Sequence, residues 1–327
     1  MNWTGKRVLV TGAGGFIGSH LTEHLVQLGA TTRAFVHYNS LGRRGWLTDS
    51  SHAGDIEFFP GDISDPDRTA QACQGIDVVF HLAALIGIPY SYHSPAAYVR
   101  TNVMGTLNLL QGGMTAGVTR FVHTSTSETY GTAQYVPIDE GHPLQAQSPY
   151  SATKIAADKL VESFHLSFGF PAVTLRPFNT YGPRQSARAV IPTIIVQALQ
   201  ASCLKLGNLH PRRDLTFVSD TVSAFIKAAE CDGAIGQTIN VGNSKDVSIG
   251  ELAQLILDMV GRDIPIVSDD LRERPPASEV QRLCANTSKA ATLLAWHPSV
   301  SLRDGLGITL EWLSQHLDLY EVNHYAV

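Results

Sequence analysis

Short apolar runs alternate with longer amphipathic stretches through the first half of the chain. The runs have the length of buried strands, and the stretches have the 3.6-residue periodicity of helices. The pattern predicts strands at 6–11, 31–36, 56–60, 77–82, 119–124 and 172–176, and helices at 15–28, 66–73, 95–117 and 150–168. This alternation indicates an α/β fold, a Rossmann-type doubly wound parallel sheet with helices on both faces. Ligands of such sheets bind at the carboxyl ends of the strands.

The pattern becomes irregular after residue 176, where prolines interrupt it. Segments 215–218 and 237–241 are expected to return to the sheet. We therefore predict two units, which consist of residues 1–176 plus 215–242 and of residues 177–214 plus 243–327. The first would carry the parallel sheet, and the second would form a smaller α/β lobe that covers the ligand.

Length and composition exclude several classes of protein. A chain of 327 residues, 44% of them hydrophobic, can bury a large core in one α/β unit or two joined lobes. The net charge of −5 argues against a general nucleic-acid binder. No apolar run reaches the ~18 residues of a membrane span, and the first strand follows the N-terminus too closely for a signal peptide.

Four scattered cysteines, Cys73, Cys203, Cys231 and Cys284, lack the spacing of metal ligands. Disulfides are rare in reducing compartments. The cysteine pattern therefore predicts reduced, mostly buried thiols in a cytoplasmic protein without a metal site.

A glycine-rich turn joins the first predicted strand to the first helix. It contains Gly12, Gly15 and Gly18, with Phe16 and Ile17 before the last of them. Gly12 and Gly15 allow a close approach of the backbone to a diphosphate, and Gly18 lets the helix pack on the strand. The helix N-terminus adds N–H donors and the positive end of its dipole. Because the turn follows a strand and opens a helix, it predicts a dinucleotide-binding domain.

Tyr150 and Lys154 lie four residues apart in a predicted helix, so their side chains project from one face. The Lys154 ammonium can favour the phenolate of Tyr150, and we expect it to lower the tyrosine pKa from about 10. A tyrosine with a lowered pKa can exchange a proton with a sugar or alcohol hydroxyl near neutral pH. Taken alone, the pair also fits an ordinary exposed helix surface.

Further motifs follow in order along nearly the whole chain. They are Gly61-Asp62-Ile63, His81-Leu82-Ala83-Ala84, Asn102, Ser125-Thr126-Ser127-Glu128, Arg176-Pro177-Phe178-Asn179 and Arg213-Asp214-Leu215. Together with the glycine turn and the Tyr150–Lys154 pair, they resemble the extended short-chain dehydrogenase/reductase family, specifically its nucleotide-sugar epimerases and dehydratases. Segments 88–94 and 131–137 are most similar to the 4,6-dehydratases of the legionaminic acid pathway, which implies an N-acetylglucosamine nucleotide carrying GDP or UDP as substrate.

The resemblance implies an NAD cofactor. Asp62, followed by Ile63, would accept a hydrogen bond from the adenine amino group. Leu82, Ala83 and Ala84 would form an apolar ledge along the cofactor.

The second strand departs from the usual NAD pattern. NAD-preferring members carry an acidic residue at its end, which binds the ribose 2′-hydroxyl. Val36 stands there in this chain, and Arg43 and Arg44 lie close enough in sequence to bind a 2′-phosphate. The similarity to the subgroup favours NAD, and NADP stays open.

His81 ends a buried strand and is interpreted as a core histidine.

The resemblance also assigns a reaction. Thr126 would orient the sugar 4-hydroxyl toward Tyr150, which removes its proton while C4 gives hydride to the nicotinamide. Lys154 would hold the nicotinamide ribose. Glu128 would then remove the acidic C5 proton. Loss of the 6-hydroxyl as water and return of hydride to C6 would give a 4-keto-6-deoxy sugar. Related dTDP-glucose dehydratases carry Asp at the position of Ser127, so Glu128 is expected to protonate the leaving hydroxyl here.

Substrate binding is expected at the smaller lobe, which we therefore predict to be the nucleotide-sugar-binding lobe. Arg213 and Arg274 match family arginines that clamp phosphate or ribose, for which a guanidinium has suitable bidentate geometry. Asn179 would contact the diphosphate or sugar, and Arg188 is a further candidate. Each of these residues could equally be a surface charge or a turn residue.

Three other functions stay open on the same scaffold. A UDP-glucuronate decarboxylase also carries Thr-Ser-Glu, whereas a C4-epimerase does not need Glu128. A non-catalytic dinucleotide sensor would be expected to lose the Tyr150–Lys154 pair. The expected partner is a nucleotide-diphosphate sugar, with no nucleic acid and no membrane. Helices 95–117 and 150–168 would pair two copies of the chain as a homodimer.

Overall fold

The computed structural model describes residues 1–320, so residues 321–327, the end of the predicted smaller lobe, lie outside the described residues. The strands of the described part are β1 (Arg7–Thr11), β2 (Thr31–His37), β3 (Ile56–Gly61), β4 (Val78–His81), β5 (Arg120–Thr124), β6 (Ala172–Pro177), β7 (Asn179–Tyr181), β8 (Leu204–Leu206), β9 (Arg212–Phe217), β10 (Thr238–Val241), β11 (Asp246–Ser248), β12 (Ile266–Ser268) and β13 (Arg282–Leu283). Its α-helices are α1 (Phe16–Gln27), α2 (Pro66–Cys73), α3 (Ile88–His93), α4 (Pro95–Tyr98), α5 (Gly105–Thr115), α6 (Pro149–Phe168), α7 (Val190–Gln200), α8 (Val218–Glu230), α9 (Ile249–Val260), α10 (Ser288–Leu294) and α11 (Leu302–Ser314).

Within residues 1–320, seven strands form one parallel sheet in the order β3-β2-β1-β4-β5-β6-β10. The predicted fold class is confirmed, and the six strands predicted in the first half all belong to this sheet. The strand order reverses between β1 and β4. Such a reversal opens a crevice beyond the carboxyl ends of the strands, where doubly wound sheets bind their ligands.

Side chains alternate between the two faces of the sheet, as the pleat of a strand requires. Val8 and Val10 of β1 point into the core shared with α1 and α8. Leu9, between them, points into the core shared with α2, α5 and α6. All three are fully buried, so the continuous apolar run of β1 follows from burial on both faces.

The described residues also form a second sheet around β9. Strand β9 pairs with β7, β11 and β13 there, so the expectation that 215–218 returns to the large sheet is wrong. An isolated apolar strand pattern does not reveal its partners, and β9 finds them among very short strands. The expectation for 237–241 is confirmed, because β10 forms the edge of the large sheet next to β6.

The predicted helix 95–117 is interrupted. α4 and α5 are separated by a π-helical segment, Val99–Met104. Asn102 lies in this wider turn, and only 1% of its surface is exposed. Its side-chain amide donates to the Leu85 carbonyl and the Thr153 hydroxyl, both at 3.0 Å, and its oxygen accepts from the Leu85 N–H. π-Bulges are frequent at functional sites, and this one joins the loop after β4 to α6.

The four cysteines are free thiols, as predicted. Cys73 and Cys284 are buried, whereas Cys203 and Cys231 are half-buried. No group of metal-ligating side chains is found among residues 1–320. In the same part of the chain, no helix combines the length and the apolar character that crossing a membrane requires.

Candidate active site

The glycine turn after β1 has the backbone geometry that the sequence predicts. Gly12 has a positive φ of 69°, and a Cβ there would lie 2.9 Å from the Ala83 amide nitrogen at the end of β4. Gly15 is the residue before the first turn of α1, and its N–H donates to the Gly12 carbonyl at 3.0 Å. A Cβ at Gly18 would overlap the Gly12 carbonyl oxygen. The turn therefore forms a tight backbone cradle next to the α1 N-terminus, the arrangement in which dinucleotide-binding domains hold a diphosphate. Phe16 and Ile17 begin α1.

Replacing Gly18 by alanine is expected to lower the free energy of unfolding by about 1–3 kcal/mol, because the new methyl group overlaps the Gly12 carbonyl. The same displacement should weaken dinucleotide binding. Urea unfolding and calorimetric titration with NAD measure the two effects. Gly54→Ala is the matched control, since nothing lies within 4 Å of its Cβ. Equal stability of the two variants would contradict the prediction.

The segment after β4 is fixed by Thr11. The Thr11 hydroxyl accepts from the N–H groups of Leu82 and Ala83, both at 3.1 Å, and lies 2.8 Å from His81 Nδ1. His81 Nε2 lies 3.0 Å from the Thr106 hydroxyl, so both ring nitrogens have partners. Burial, followed by the charges of His123 and Lys154, holds the pKa of His81 well below its usual value. The interpretation of His81 as a core histidine is confirmed.

Leu82, Ala83 and Ala84 are half-exposed at the carboxyl edge of the sheet, where an apolar ledge was predicted. Asp62 is exposed at the end of β3, and its carboxylate accepts from the Ser64 N–H at 2.8 Å. The Ile63 side chain is buried against Gly105 of α5. The Ile63 carbonyl accepts from the Asn108 side-chain amide at 3.0 Å, and the adenine contacts of Asp62 and Ile63 stay a prediction.

The loop after β2 crosses the glycine turn. A Cβ at Gly45, whose φ is 61°, would overlap the Gly14 carbonyl, and that carbonyl accepts from the Trp46 N–H at 3.0 Å. The Arg44 guanidinium lies 4.0 Å from the centre of the Phe58 ring. Arg43 and Arg44 are both exposed. The Trp46 ring meets Trp312 of α11 edge to face, with ring centres 5.4 Å apart.

The catalytic candidates come from two elements that meet at the carboxyl edge. Thr126 follows β5 and opens a 3₁₀ turn, Ser127–Tyr130, in which its hydroxyl accepts from the Glu128 N–H at 3.2 Å. Ser127 and Glu128 are buried. Tyr150 lies in the first turn of α6, which begins with Pro149 and a capping box between Ser148 and Ser151. Proline is favoured in the first helical turn, so the local sequence fixes where α6 begins.

The pKa of Tyr150 does not shift in the expected direction. Burial raises the pKa of Tyr150 well above its usual value, a hydrogen bond with Thr126 lowers it, and the charge of Glu128 raises it further. The Lys154 ammonium donates instead to the Thr124 carbonyl at 2.6 Å. The prediction that Lys154 lowers the tyrosine pKa is therefore wrong, because the low dielectric around Tyr150 disfavours the phenolate more than a lysine one helical turn away can compensate.

A cluster of charged residues, Arg213, Arg274 and Glu279, lies near Glu128. Arg213 donates to the Glu279 carboxylate at 3.2 Å, and Arg274 lies 3.7 Å from the same oxygen. Burial lowers the pKa of Arg213, and the charges of Glu128 and Glu279 raise it. Nη1 of Arg274 and Oδ1 of Asn179 are buried without a hydrogen-bond partner. Two predicted substrate ligands thus carry unsatisfied polar atoms, as expected where a polar ligand binds.

Arg188 lies apart from this cluster. It is exposed, and its guanidinium lies 3.1 Å from the position of a Cβ at Gly87. α3, which contains most of the predicted sugar-pocket segment 88–94, joins the smaller lobe through the Tyr92 hydroxyl, 2.6 Å from the Ser278 hydroxyl. Arg188 therefore belongs with α3 rather than with Arg213.

Sequence reasoning missed two acidic residues. Glu279 holds Arg213 and Arg274 together, and only its position five residues after Arg274 could have indicated it. Asp158 is buried below Lys154. Its spacing of four residues from Lys154, on the same helix face, was a signal that could have been used.

The parallel sheet, the glycine turn and the Tyr150-x-x-x-Lys154 helix define an extended short-chain dehydrogenase/reductase. The family model for GDP-mannose 4,6-dehydratase matches residues 9–309, so the chain belongs to this family of nucleotide-sugar dehydratases and epimerases.

The relatives of this chain include proteins named as 4-epimerases and proteins named as 4,6-dehydratases. The chain is 34% identical to a UDP-glucose 4-epimerase of Mycolicibacterium smegmatis over 94% of this chain and 98% of the relative. It is 32% identical to a dTDP-glucose 4,6-dehydratase of Streptomyces niveus, over 94% of this chain and 92% of that protein. Its structure matches DesIV, a dTDP-glucose 4,6-dehydratase from Streptomyces venezuelae with NAD bound, at a TM-score of 0.87 and 29% identity over 96% of this chain and 99% of DesIV.

Proposed function

We propose that this protein is an NAD-dependent nucleotide-sugar 4,6-dehydratase. The observation that carries the proposal is the buried carboxylate of Glu128, whose charge acts on both Tyr150 and Arg213. The site thus combines a tyrosine for oxidation at C4 with a general base for the C5 proton. A C4-epimerase has no step that removes a proton from C5.

NAD fits the residues of the crevice. At Gly12 and Gly18 a Cβ would meet the Ala83 amide nitrogen and the Gly12 carbonyl oxygen, and this tight cradle supports diphosphate binding at the α1 N-terminus. Leu82, Ala83 and Ala84 would line the cofactor, and Asp62 would bind adenine. Bound NAD would accept hydride from C4 and return it to C6. The NAD in DesIV supports this choice over NADP, for which exposed Arg43 and Arg44 are the candidate ligands.

Tyr150 takes the first proton. Its phenolate accepts the proton of the 4-hydroxyl as C4 is oxidised, and the hydrogen bond with Thr126 favours this form. Burial lowers the pKa of Lys154 to about 8, so this side chain stays largely cationic at neutral pH. Its ammonium is held at the Thr124 carbonyl, within the same edge of the sheet.

Glu128 performs the elimination. The 4-keto group makes the C5 proton acidic, and the Glu128 carboxylate removes it. Glu128 then delivers this proton to the 6-hydroxyl, which leaves C6 as water while the C5–H electron pair forms the C5–C6 double bond. When hydride returns to C6, a proton that exchanges with solvent restores the C5–H bond. Ser127 cannot supply the proton, because a serine hydroxyl is too weak an acid. It can orient the hydroxyl group or the released water.

The substrate is proposed to be an N-acetylglucosamine nucleotide. Arg213 and Arg274 would bind its diphosphate or ribose, and the unsatisfied Asn179 oxygen would accept a hydrogen bond from a sugar hydroxyl. Arg188 would contact the sugar from the side of α3. The similarity of segments 88–94 and 131–137 to legionaminic-pathway dehydratases supports the N-acetyl group.

A nucleotide-sugar C4-epimerase is the second candidate. The M. smegmatis relative supports it, as does Ser127 at the position where dTDP-glucose dehydratases carry an acid. In that case Glu128 would be a binding residue. A UDP-glucuronate decarboxylase stays a third possibility, since it starts with the same oxidation at C4.

Homodimer formation is proposed on the face of α5 and α6. Val99, Met104 and Met114 expose apolar surface on the segment that ends in α5, and Leu166 and Phe168 do so at the end of α6. Analytical ultracentrifugation tests whether the protein is a dimer.

Two further predictions are not tested by the structure. They are the division into a dinucleotide-binding domain and a sugar-binding lobe, and a cytoplasmic location.

Mass spectrometry tests the proposed function. The purified protein is incubated with UDP-GlcNAc, GDP-GlcNAc, UDP-glucuronate and other nucleotide sugars, each with NAD and with NADP. Loss of one water from an N-acetylglucosamine nucleotide is expected. Loss of carbon dioxide would assign the decarboxylase instead. An unchanged mass with a changed C4 configuration by NMR would assign the epimerase, and no conversion would leave the dinucleotide sensor.

A further inference from the structure

A buried cluster of charged groups lies below the catalytic residues. The Asp158 carboxylate accepts from Ser125 Oγ at 2.6 Å and from Arg176 Nη2 at 2.7 Å, while His123 Nε2 lies 3.2 Å from its other oxygen. Arg176 also donates to Ser125 through Nε at 3.3 Å. None of these four side chains takes part in the reaction proposed above. We call them the Asp158 cluster.

The Asp158 cluster joins the two elements that carry the catalytic residues. Asp158 lies on α6, one helical turn after Lys154 and two turns after Tyr150, on the same face. Ser125, its hydrogen-bond partner, directly precedes Thr126 in the segment that leads to Glu128. A single carboxylate therefore ties the start of the Thr126–Glu128 turn to the helix that carries the tyrosine and the lysine.

The charge of Asp158 also acts on Lys154, which lies one helical turn before it on the same face of α6. Burial lowers the pKa of Lys154 to about 8, and the charge of Asp158 raises it. Although burial alone would raise the pKa of Asp158, its hydrogen bond with His123 and the charge of Arg176 hold it well below the usual value. The charge of Lys154 interacts with Asp158 on α6, His123 on β5 and His81 on β4, and Tyr150 lies one helical turn before it on the same face of α6.

We propose that Asp158 is a positioning residue that keeps Lys154 cationic and holds the Thr126–Glu128 turn against α6. The inference rests on the proposed function, because it explains how that function's catalytic residues are kept together. Asp158 does not touch the sugar or the cofactor. Its effect passes through the hydrogen bond to Ser125 and through its charge.

The far side of the cluster faces a cavity of about 310 Å³ between α6, β6 and β10. Asp158 and Arg176 line it, whereas Tyr150 and Glu128 do not. Water can therefore reach the cluster without passing through the sugar site. An amide in place of the carboxylate can be hydrated from this cavity, so Asp158→Asn is a suitable variant for the test.

The first experiment measures the protonation of Lys154 without any substrate. Competitive labelling with acetic anhydride over a pH series, read by peptide mass spectrometry, gives the pKa of this lysine. Asp158→Asn is expected to lower the labelling midpoint by about one pH unit, because an opposite charge is lost. Glu162→Gln is the matched control on the same helix, since Glu162 pairs with Lys159 at the surface. An unchanged midpoint in Asp158→Asn would overturn the proposal.

The second experiment tests whether the hydrogen bond between Ser125 and Asp158 positions the Thr126–Glu128 turn for the oxidation of C4. In single turnovers, NADH absorbance reports the oxidation of C4 for dehydratase, decarboxylase and epimerase alike. Ser125→Ala, which keeps the Asp158 charge, is expected to slow this step by about a hundredfold with the lysine midpoint unchanged. An unchanged rate in Ser125→Ala would remove the positioning role.

Two outcomes are interpreted separately, namely a variant that does not fold and a wild-type protein that is inactive. If Asp158→Asn does not fold, the double variant Asp158→Asn/Arg176→Met removes both buried charges together and replaces it in the labelling experiment. If the wild-type protein oxidises no sugar, the proposed function fails. The labelling midpoint still decides whether Asp158 keeps Lys154 cationic, so the two failures are distinguishable.

Discussion

Tyr150→Phe is expected to reduce nucleotide-sugar turnover by about a thousandfold, because the variant has no group to accept the proton of the 4-hydroxyl. Burial and the hydrogen bond with Thr126 place this phenol at the carboxyl edge of the sheet, next to Glu128. The substitution removes one oxygen and leaves the ring packing against Tyr98 in place, with ring centres 6.3 Å apart. The fold and NAD affinity are therefore expected to be retained. Steady-state kinetics and calorimetric titration with NAD measure the two quantities.

Tyr135→Phe is the control for this substitution. The Tyr135 hydroxyl donates to Asp139 at 2.9 Å on an exposed loop, so its loss removes a tyrosine hydrogen bond outside the site. Turnover by this variant should equal that of the wild type. Wild-type turnover by Tyr150→Phe would show that another group accepts the proton, and the assignment of Tyr150 would be wrong.

Glu128→Gln is expected to reduce dehydration by about a thousandfold while oxidation at C4 continues. The amide keeps the size of the side chain and cannot accept the C5 proton. In D₂O, the wild-type protein should exchange the C5 hydrogen for deuterium, and the variant should not. Mass spectrometry of the nucleotide sugar measures both the loss of water and the exchange.

Glu311→Gln, an exposed substitution on α11, controls for the loss of one negative charge. C5 exchange in Glu128→Gln at the wild-type rate would assign the base to another residue. If the wild-type protein itself shows no exchange at C5 and inverts the configuration at C4, the protein is a C4-epimerase and the dehydratase proposal is wrong.

The large sheet could be predicted because its central strands are largely apolar. β1, β4 and β5 are buried on both faces, so sequence alone distinguishes them from the surrounding amphipathic helices. The second sheet could not be predicted in this way. β11 and β13 have three and two residues, too few to show any period, and their pairing with β9 depends on distant parts of the chain.

The positions of the candidate site residues could be predicted where a motif fixes both spacing and secondary structure. Gly12, Gly18, Thr126 and Tyr150 lie where their motifs place them, whereas the pKa of Tyr150 could not be read from spacing. It depends on burial by Tyr98 and on the distance to Glu128, which only the packing of α4 and the 3₁₀ turn determines. Glu279 was not predicted because its contacts also depend on packing, since its partners Arg213 and Arg274 come from separate segments.

The loop after β2 packs across the glycine turn. This contact limits which truncations and which loop exchanges the protein can tolerate. Trp46 anchors that loop to Trp312, so a chain that ends before α11 would lose the support of its own nucleotide cradle. Grafting a relative's loop to change cofactor preference faces the same constraint. Such a graft must keep a glycine at position 45 and an aromatic side chain at position 46, or bring a matching C-terminal helix with it.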